Sequence, residues 1–417
     1  MTRVGIDYRA MQIGHQFRGI GSVLRNVCAG IAVSNKVEDT EFILFTEGPV
    51  DGCADREAKS IFKGANYRYC SLGDSRSRNE KILYSLPKRQ EKIIERSCDK
   101  FIQFDFSLGL PKKVESLLVI HDFIPYELGN RYPNTYLPEY RKARRAGLHR
   151  KHALQQKIRR EVYIRNVKDA LRRADRIITV SGFTAKRVKE IAKEFNIDLD
   201  PNIIISSFLG ASSVKGNKKE MDHFEKHIIR GYGLDKSPFI FWIGGADDRR
   251  RIDLLVQAFN RIRATGKELK LVLAGLDFIS IDSIYNVKAK EAILKSSYKE
   301  DIILLGYISD EQRNFLYEKA EAFVFPTESE GFGLPLVEAL LLGTSVVCFK
   351  NTSLVELIGD NCFPCKESAI GLSEAIINCL ERSDEEKQKD KEAGILWAKK
   401  FTYADFVEKV NEFIKHR

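Results

Sequence analysis

The chain has 417 residues, 43% hydrophobic and 30% charged, with 68 Lys and Arg against 58 Asp and Glu for a formal net charge of +10. That length exceeds one ordinary core and predicts two domains of about 200 residues each. The composition excludes a disordered chain, and no apolar run approaches the roughly 18 residues needed to span a bilayer.

The start, Met1-Thr2-Arg3, leads straight into a strand pattern, without the apolar stretch and small-residue cleavage site of a secretory leader. The cysteines are scattered, and Cys362-Phe363-Pro364-Cys365 has no second pair at zinc spacing, so it reads as structural. A reducing cytoplasm is the expected compartment. The basic excess concentrates in 141–176, where only Glu161, Asp169 and Asp175 are acidic. No nucleic-acid motif or aromatic platform accompanies it, so no nucleic-acid partner is expected. Two readings remain for 141–176. One is a solvated helix face. The other is an anionic membrane surface, where each basic residue contributes roughly 1 kcal/mol and the protein would sit peripherally on the inner face of the cell membrane.

In chain order, Val4-Gly5-Ile6-Asp7 reads as a first strand, and a loop over 9–21 leads into a helix near Ser22. Such a glycine-bearing loop, here Arg18-Gly19-Ile20-Gly21, is where nucleotide-binding folds place phosphates. Further strand patterns fall at 41–45, 101–104 and 117–120, with helical composition over 74–99 (interrupted at Pro87) and 139–173. Alternation of this kind predicts a parallel sheet covered on both faces. The strand at 117–120 runs into His121-Asp122-Phe123-Ile124-Pro125, and in open parallel sheets ligands sit beyond such carboxyl ends. A third segment, 174–184, gives strand, turn and a Ser181 or Thr184 cap before a helix, and 202–206 is expected to close the sheet. The expected division is a first domain over 1–210, a polar linker over 211–236, a second domain over 237–395, and a closing helix in 396–417 that crosses back toward the first domain.

The second series starts at Phe239-Ile240-Phe241-Trp242-Ile243 and enters Gly244-Gly245-Ala246-Asp247-Asp248-Arg249-Arg250-Arg251, ahead of an amphipathic helix over 252–263. Glycines followed by arginines at a strand-to-helix turn suit a diphosphate, with backbone donors for geometry and guanidinium groups for charge. Strands are expected at 270–274, 302–305, 322–325 and 346–349, and Gly306-Tyr307-Ile308-Ser309-Asp310 caps a helix. Between the strand at 322–325 and the next helix lies Thr327-Glu328-Ser329-Glu330-Gly331-Phe332-Gly333-Leu334-Pro335-Leu336-Val337-Glu338. Its glycines let backbone N–H groups approach a ligand, and the helix start offers unpaired donors and a positive dipole end to an anion. Pro335 suits the first helical position. Glu330 before the helix and Glu338 about one turn inside it are placed to accept hydroxyl groups.

Two glutamates enclosing Gly-Phe-Gly-Leu-Pro-Leu-Val resemble the signature of the family 4 (group 1) retaining glycosyltransferases. The likeness extends to the Arg18–Gly21 loop, the His-Asp-x-Ile-Pro segment, 174–184, the arginine turn, 306–310 and 353–360. It leaves out 51–100 and 126–170, and the nearest members are bacterial mannosyltransferase-like. The resemblance implies an α/β architecture, GT-B, with two Rossmann-like doubly wound parallel-sheet domains facing a cleft. It implies a transferase that moves a hexose, GDP-mannose favoured as donor, to a glycan or lipid-linked glycan acceptor in surface polysaccharide synthesis. It assigns catalytic roles to Glu330, His121 and Arg250. Donor binding falls to Gly19, Gly21, Arg249, Arg250, Ile308, Phe332, Gly333, Leu334 and Glu338, with no metal and no cofactor beyond the nucleotide sugar. Arg250 stands where the family carries lysine and Arg251 where asparagine is common. Alternatives are a non-catalytic nucleotide-sugar-binding subunit, or another GT-B enzyme such as an epimerase or phosphorylase.

Overall fold

The computed structural model describes residues 1–12, 19–34, 40–73, 88–106, 109–129, 149–211 and 218–416. These form two compact units, one of Met1–Glu127, Lys151–Leu209 and Thr402–Arg417, the other of Leu128–Arg150 and Gly210–Phe401.

In the first unit, strands β1 (Thr2–Asp7), β2 (Thr40–Thr46), β3 (Asn66–Ser71), β4 (Lys100–Gln103), β5 (Glu115–Ile120), β6 (Arg176–Thr179) and β7 (Ile204–Ser206) form one sheet. Its order is β3-β2-β1-β4-β5-β6-β7, with every pairing parallel. Burial on both faces explains why β5 carries Leu117 to Ile120 as a continuous apolar run instead of alternating. Ile43, Phe45, Phe101, Leu118, Ile120, Ile177 and Val188 belong to its core. The first helix, Gly19–Ser34, starts three residues earlier than expected, because Gly21 is already buried on its inner face. Ser181 does cap its helix, accepting from Thr184 N at 3.1 Å. Of the helical stretches 74–99 and 139–173, the described parts are helices Lys88–Ser97 and His149–Arg173.

In the second unit, β8 (Phe239–Ile243), β9 (Lys270–Ala274), β10 (Ile302–Gly306), β11 (Ala322–Phe325), β12 (Val346–Phe349) and β13 (Cys362–Cys365) form a parallel sheet in the order β10-β9-β8-β11-β12-β13. Helix Ile252–Arg263 buries Ile252, Leu255, Val256, Phe259 and Ile262 against β8 and β9 residues such as Trp242, Leu271 and Leu273. The stretch read as a polar linker carries helix Lys218–Phe224 and a π-helical turn, Glu225–Ile229, within this unit. Phe224, Ile229 and Leu234 anchor it in the interior, an apolar stripe that its lysines obscured.

Each sheet reverses its strand order once, between β1 and β4 and between β8 and β11. The crevice beyond the carboxyl ends of those strand pairs is where such sheets hold ligands. In the second unit the arginine turn follows β8 and the Glu330 loop follows β11, so both lie at this switch point.

Candidate active site

The loop after β8 bends through Gly244 (φ 151°) and a 3-10 turn, Asp248–Arg250. Gly275, φ 138°, admits no side chain, since a Cβ there would lie 2.0 Å from the Gly244 carbonyl oxygen. The turn delivers Arg249 and Arg250 to the β11 loop. Arg249 Nη1 donates to Glu330 Oε1 at 2.7 Å, to the Ser329 carbonyl at 2.7 Å and to Thr327 Oγ1 at 3.4 Å. Arg250 Nη1 forms an ion pair with the same Glu330 oxygen. Thr327, fully buried, adds its hydroxyl to Oε1 at 3.2 Å. Two guanidinium groups thus share one carboxylate, and the three side chains are only 10%, 14% and 11% exposed. Burial, then Arg249, lowers the pKa of Arg250, with Glu330 opposing. The Arg250 guanidinium stands 5.3 Å over the Phe325 ring, and its buried Nε has no hydrogen-bond acceptor among the described residues. The group alone is cationic and partly dry, which favours the arrival of an anion.

The loop itself is held from β12. Thr352 Oγ1 accepts from Glu330 N at 3.2 Å, and Ser353 Oγ reaches the carbonyls of Glu330 and Phe332 at 2.8 and 2.7 Å. Asn351 Nδ2 donates to the Thr327 carbonyl at 3.0 Å. Gly333, φ 117°, caps helix Leu334–Leu341, and a Cβ there would meet Leu354 at 2.7 Å. Pro335 is therefore the second helical residue, equally tolerated because that N–H has no intrahelical acceptor. Phe332 is 4% exposed and packs edge-on against Phe401, so its ring belongs to the interior.

Glu338, on the next turn, has its own partners. Arg313 Nε and the Tyr317 hydroxyl each lie 3.5 Å from Oε2, and burial raises the carboxyl pKa. Ile308 is buried just before Ser309, whose capping box with Gln312 starts helix Asp310–Lys319. Gly19, Gly21 and His121 belong to the other unit. Gly19 opens its helix with open space at its Cβ position among the described residues. His121 follows the carboxyl end of β5, where its carbonyl accepts from Thr184 Oγ1 at 3.2 Å. Asp122 Oδ1 accepts from Ile124 N at 3.0 Å, holding the turn. Arg18 lies outside the described residues. Thr352 and Arg313 had no sequence signal, and Thr327 and Ser353 had none beyond opening the 327–338 and 353–360 segments.

Two doubly wound parallel-sheet units make this a GT-B fold. Its likeness to solved structures extends over whole chains. A crystal structure of Anabaena Alr3699/HepE in complex with UDP and glucose has a TM-score of 0.68 at 14% identity, covering 100% of both chains. One of WaaG, a glycosyltransferase involved in lipopolysaccharide biosynthesis, has 0.62 at 11% identity, again over 100% of both. Residues 225–397 match the family model described as glycosyl transferases group 1. The O-antigen chain mannosyltransferase B of Escherichia coli is 30% identical over 197 residues, 47% of this chain and 49% of that protein. The serotype-specific mannosyltransferase WbdA of Escherichia coli is 28% identical over 212 residues, 48% of this chain and 23% of that protein. The chain thus spans about half or less of the curated relatives it matches. Among the described residues, no helix is long and apolar enough to cross a membrane.

Proposed function

We propose that the protein is a retaining glycosyltransferase that moves a hexose, with GDP-mannose the favoured donor, to a glycan or lipid-linked glycan acceptor. One observation carries this reading: Arg249 and Arg250 converge on Glu330 at the β8/β11 switch point, beside the start of helix Leu334–Leu341. Breaking the sugar–phosphate bond puts negative charge on the departing diphosphate. Preorganised donors aimed at such charge are worth on the order of 3–4 kcal/mol each. The two guanidinium groups, the first turn of helix Gly19–Ser34 at Gly19 and Gly21, and the start of helix Leu334–Leu341 (through Gly333 and Leu334) supply them. Glu330 accepts hydroxyls of the donor sugar, and Glu338 accepts those of the ribose. Ile308 lies beside the base, Phe332 supports the loop from inside, and His121 faces the anomeric region. The leaving phosphate takes the acceptor's proton, so the step requires no separate general base. The mannosyltransferase relatives support the choice of donor.

A thermal-shift panel of nucleoside diphosphates and their sugars, followed by turnover assays, tests this. A ligand at 100 times its Kd adds roughly 2.7 kcal/mol of stability. Selective stabilisation by GDP and GDP-mannose, with hexose transfer that disappears in Glu330→Ala, is expected. Near-normal turnover in that variant would remove Glu330 from the reaction. Nucleotide binding by a chain that turns over no donor would favour the non-catalytic subunit.

A further inference from the structure

Glu338 is the fifth residue of helix Leu334–Leu341, with its side chain 18% exposed. Both of its described partners come from helix Asp310–Lys319 and address the same oxygen, Oε2. Arg313 is itself fixed, since Nη1 donates to Asp310 Oδ1 at 2.8 Å and the side chain is 17% exposed. Tyr317 is fully buried. Among the described residues, the charged and titratable groups that act on Glu338 are Arg313, Asp310 and Tyr317. The strands beneath, β11 and β12, are apolar apart from the buried thiol of Cys348, and Lys391 of helix Asp384–Ala398 lies against Gly343, beyond the end of Glu338's own helix.

We infer that Arg313 is a positioning residue for donor binding: it keeps Glu338 ionised and holds Oε2 inward, so that Oε1 meets the ribose diol. This rests on the reading of Glu338 as the residue that accepts the ribose hydroxyls. A diol offers two donors, and an ionised carboxylate accepts both, whereas a protonated one spends an oxygen as a donor. A largely buried carboxylate is pushed toward its neutral form unless a cation stands beside it. Burial pushes the Glu338 pKa up, Arg313 is the largest opposing influence, and Asp310 adds to the rise. Without Arg313 nothing of positive charge in this group counters the burial.

The test compares the full-length chain with Arg313→Gln and Arg313→Lys, each checked by thermal melting. Glutamate carboxyl carbons are followed by NMR against pH, with Glu338→Gln to assign the resonance. In Arg313→Gln the Glu338 midpoint should rise by about one unit, tenfold in proton affinity, and Arg313→Lys should restore most of it. An unchanged midpoint overturns the inference. Calorimetric titration with GDP, UDP and their 2′,3′-dideoxy analogues adds the ligand side. Affinity for the ribose forms should fall several-fold more steeply between pH 8 and pH 6 in Arg313→Gln than in the parent, while the dideoxy forms show no such difference. Equal losses for ribose and dideoxy forms would assign Arg313 to phosphate or base and overturn the inference. Should the parent chain bind no nucleoside diphosphate, the proposed function fails, and the carboxyl titration alone decides the role of Arg313.

Discussion

Replacing Glu330 by alanine leaves Arg249 and Arg250, 10% and 14% exposed, without their shared counter-charge. Removing one partner of a buried pair costs about 3–5 kcal/mol, and the partial exposure here places the expected loss near the lower end. The variant should stay folded and lose transfer. It should also gain more thermal stability from a nucleoside diphosphate than the parent does, because phosphate supplies the missing negative charge. Equal shifts in the two proteins would detach the arginine pair from phosphate binding. Glu338 carries a second prediction. Its folded pKa lies above the ordinary 4.5, so ionisation costs the folded state stability. That cost is absent below pH 4.5 and grows as pH climbs through the folded value. Glu338→Gln should therefore be stabilised relative to the parent at pH 8, with the gain shrinking toward pH 5, while its nucleotide affinity falls. A pH series of thermal melts checks this, and a gain that grew on acidification would contradict it. Both glutamates stood out in the sequence because they flank a glycine loop at a fixed spacing. Ser353 and Arg313 were not, because each acts through a partner more than twenty residues away that only the fold brings near.

Arg251 shows how two loops are joined. It takes a left-handed conformation (φ 46°, ψ 43°) between the 3-10 turn and helix Ile252–Arg263. Its side chain pairs with Asp253 at 3.0 Å and with Glu328 at 2.7 Å. The Glu328 N–H also donates to the Arg249 carbonyl at 2.8 Å, so the β8 and β11 loops are bound by side chain and backbone together. With side chains 20% and 16% exposed, the Arg251–Glu328 pair should show a coupling of about 1 kcal/mol in a double-mutant cycle of Arg251→Ala and Glu328→Ala. Arg251→Gly should be less destabilised than Arg251→Ala by about 1 kcal/mol, since glycine adopts that backbone without strain. Denaturant unfolding measures both, and additive single mutants would dissolve the clamp. At this scale the sequence was most readable in the sheet interiors, where Ile240 to Trp242 or Val324 and Phe325 can only be buried. Unread were two edge strands. β3 alternates exposed Asn66 and Arg68 with half-buried tyrosines, and β13 contains Pro364, which lacks a ladder donor and is tolerated only at an edge.

The last helix, Ala404–Lys415, belongs to the first unit although the second unit precedes it in the chain. It buries Phe406, Val410, Phe413 and Ile414, and Gly30 leaves room for Val407, which a Cβ would meet at 2.4 Å. Lys100, 6% exposed, donates to the carbonyls of Phe413 and His416 and stands 4.7 Å over the Phe413 ring. Each fully buried side chain of this kind is worth about 1.5–3 kcal/mol. Four of them approach the whole stability of a domain, and their loss also takes from Lys100 its two carbonyl acceptors, leaving Glu115 at 2.9 Å as its partner. Deleting 402–417 should therefore unfold or loosen the first unit while the second keeps its structure. Hydrogen exchange should accelerate in β1, β2 and β4 and stay slow in β8, β9 and β11. Uniform loss of protection would mean that the two units fold as one, and unchanged exchange would mean that the helix is dispensable to the sheet it covers.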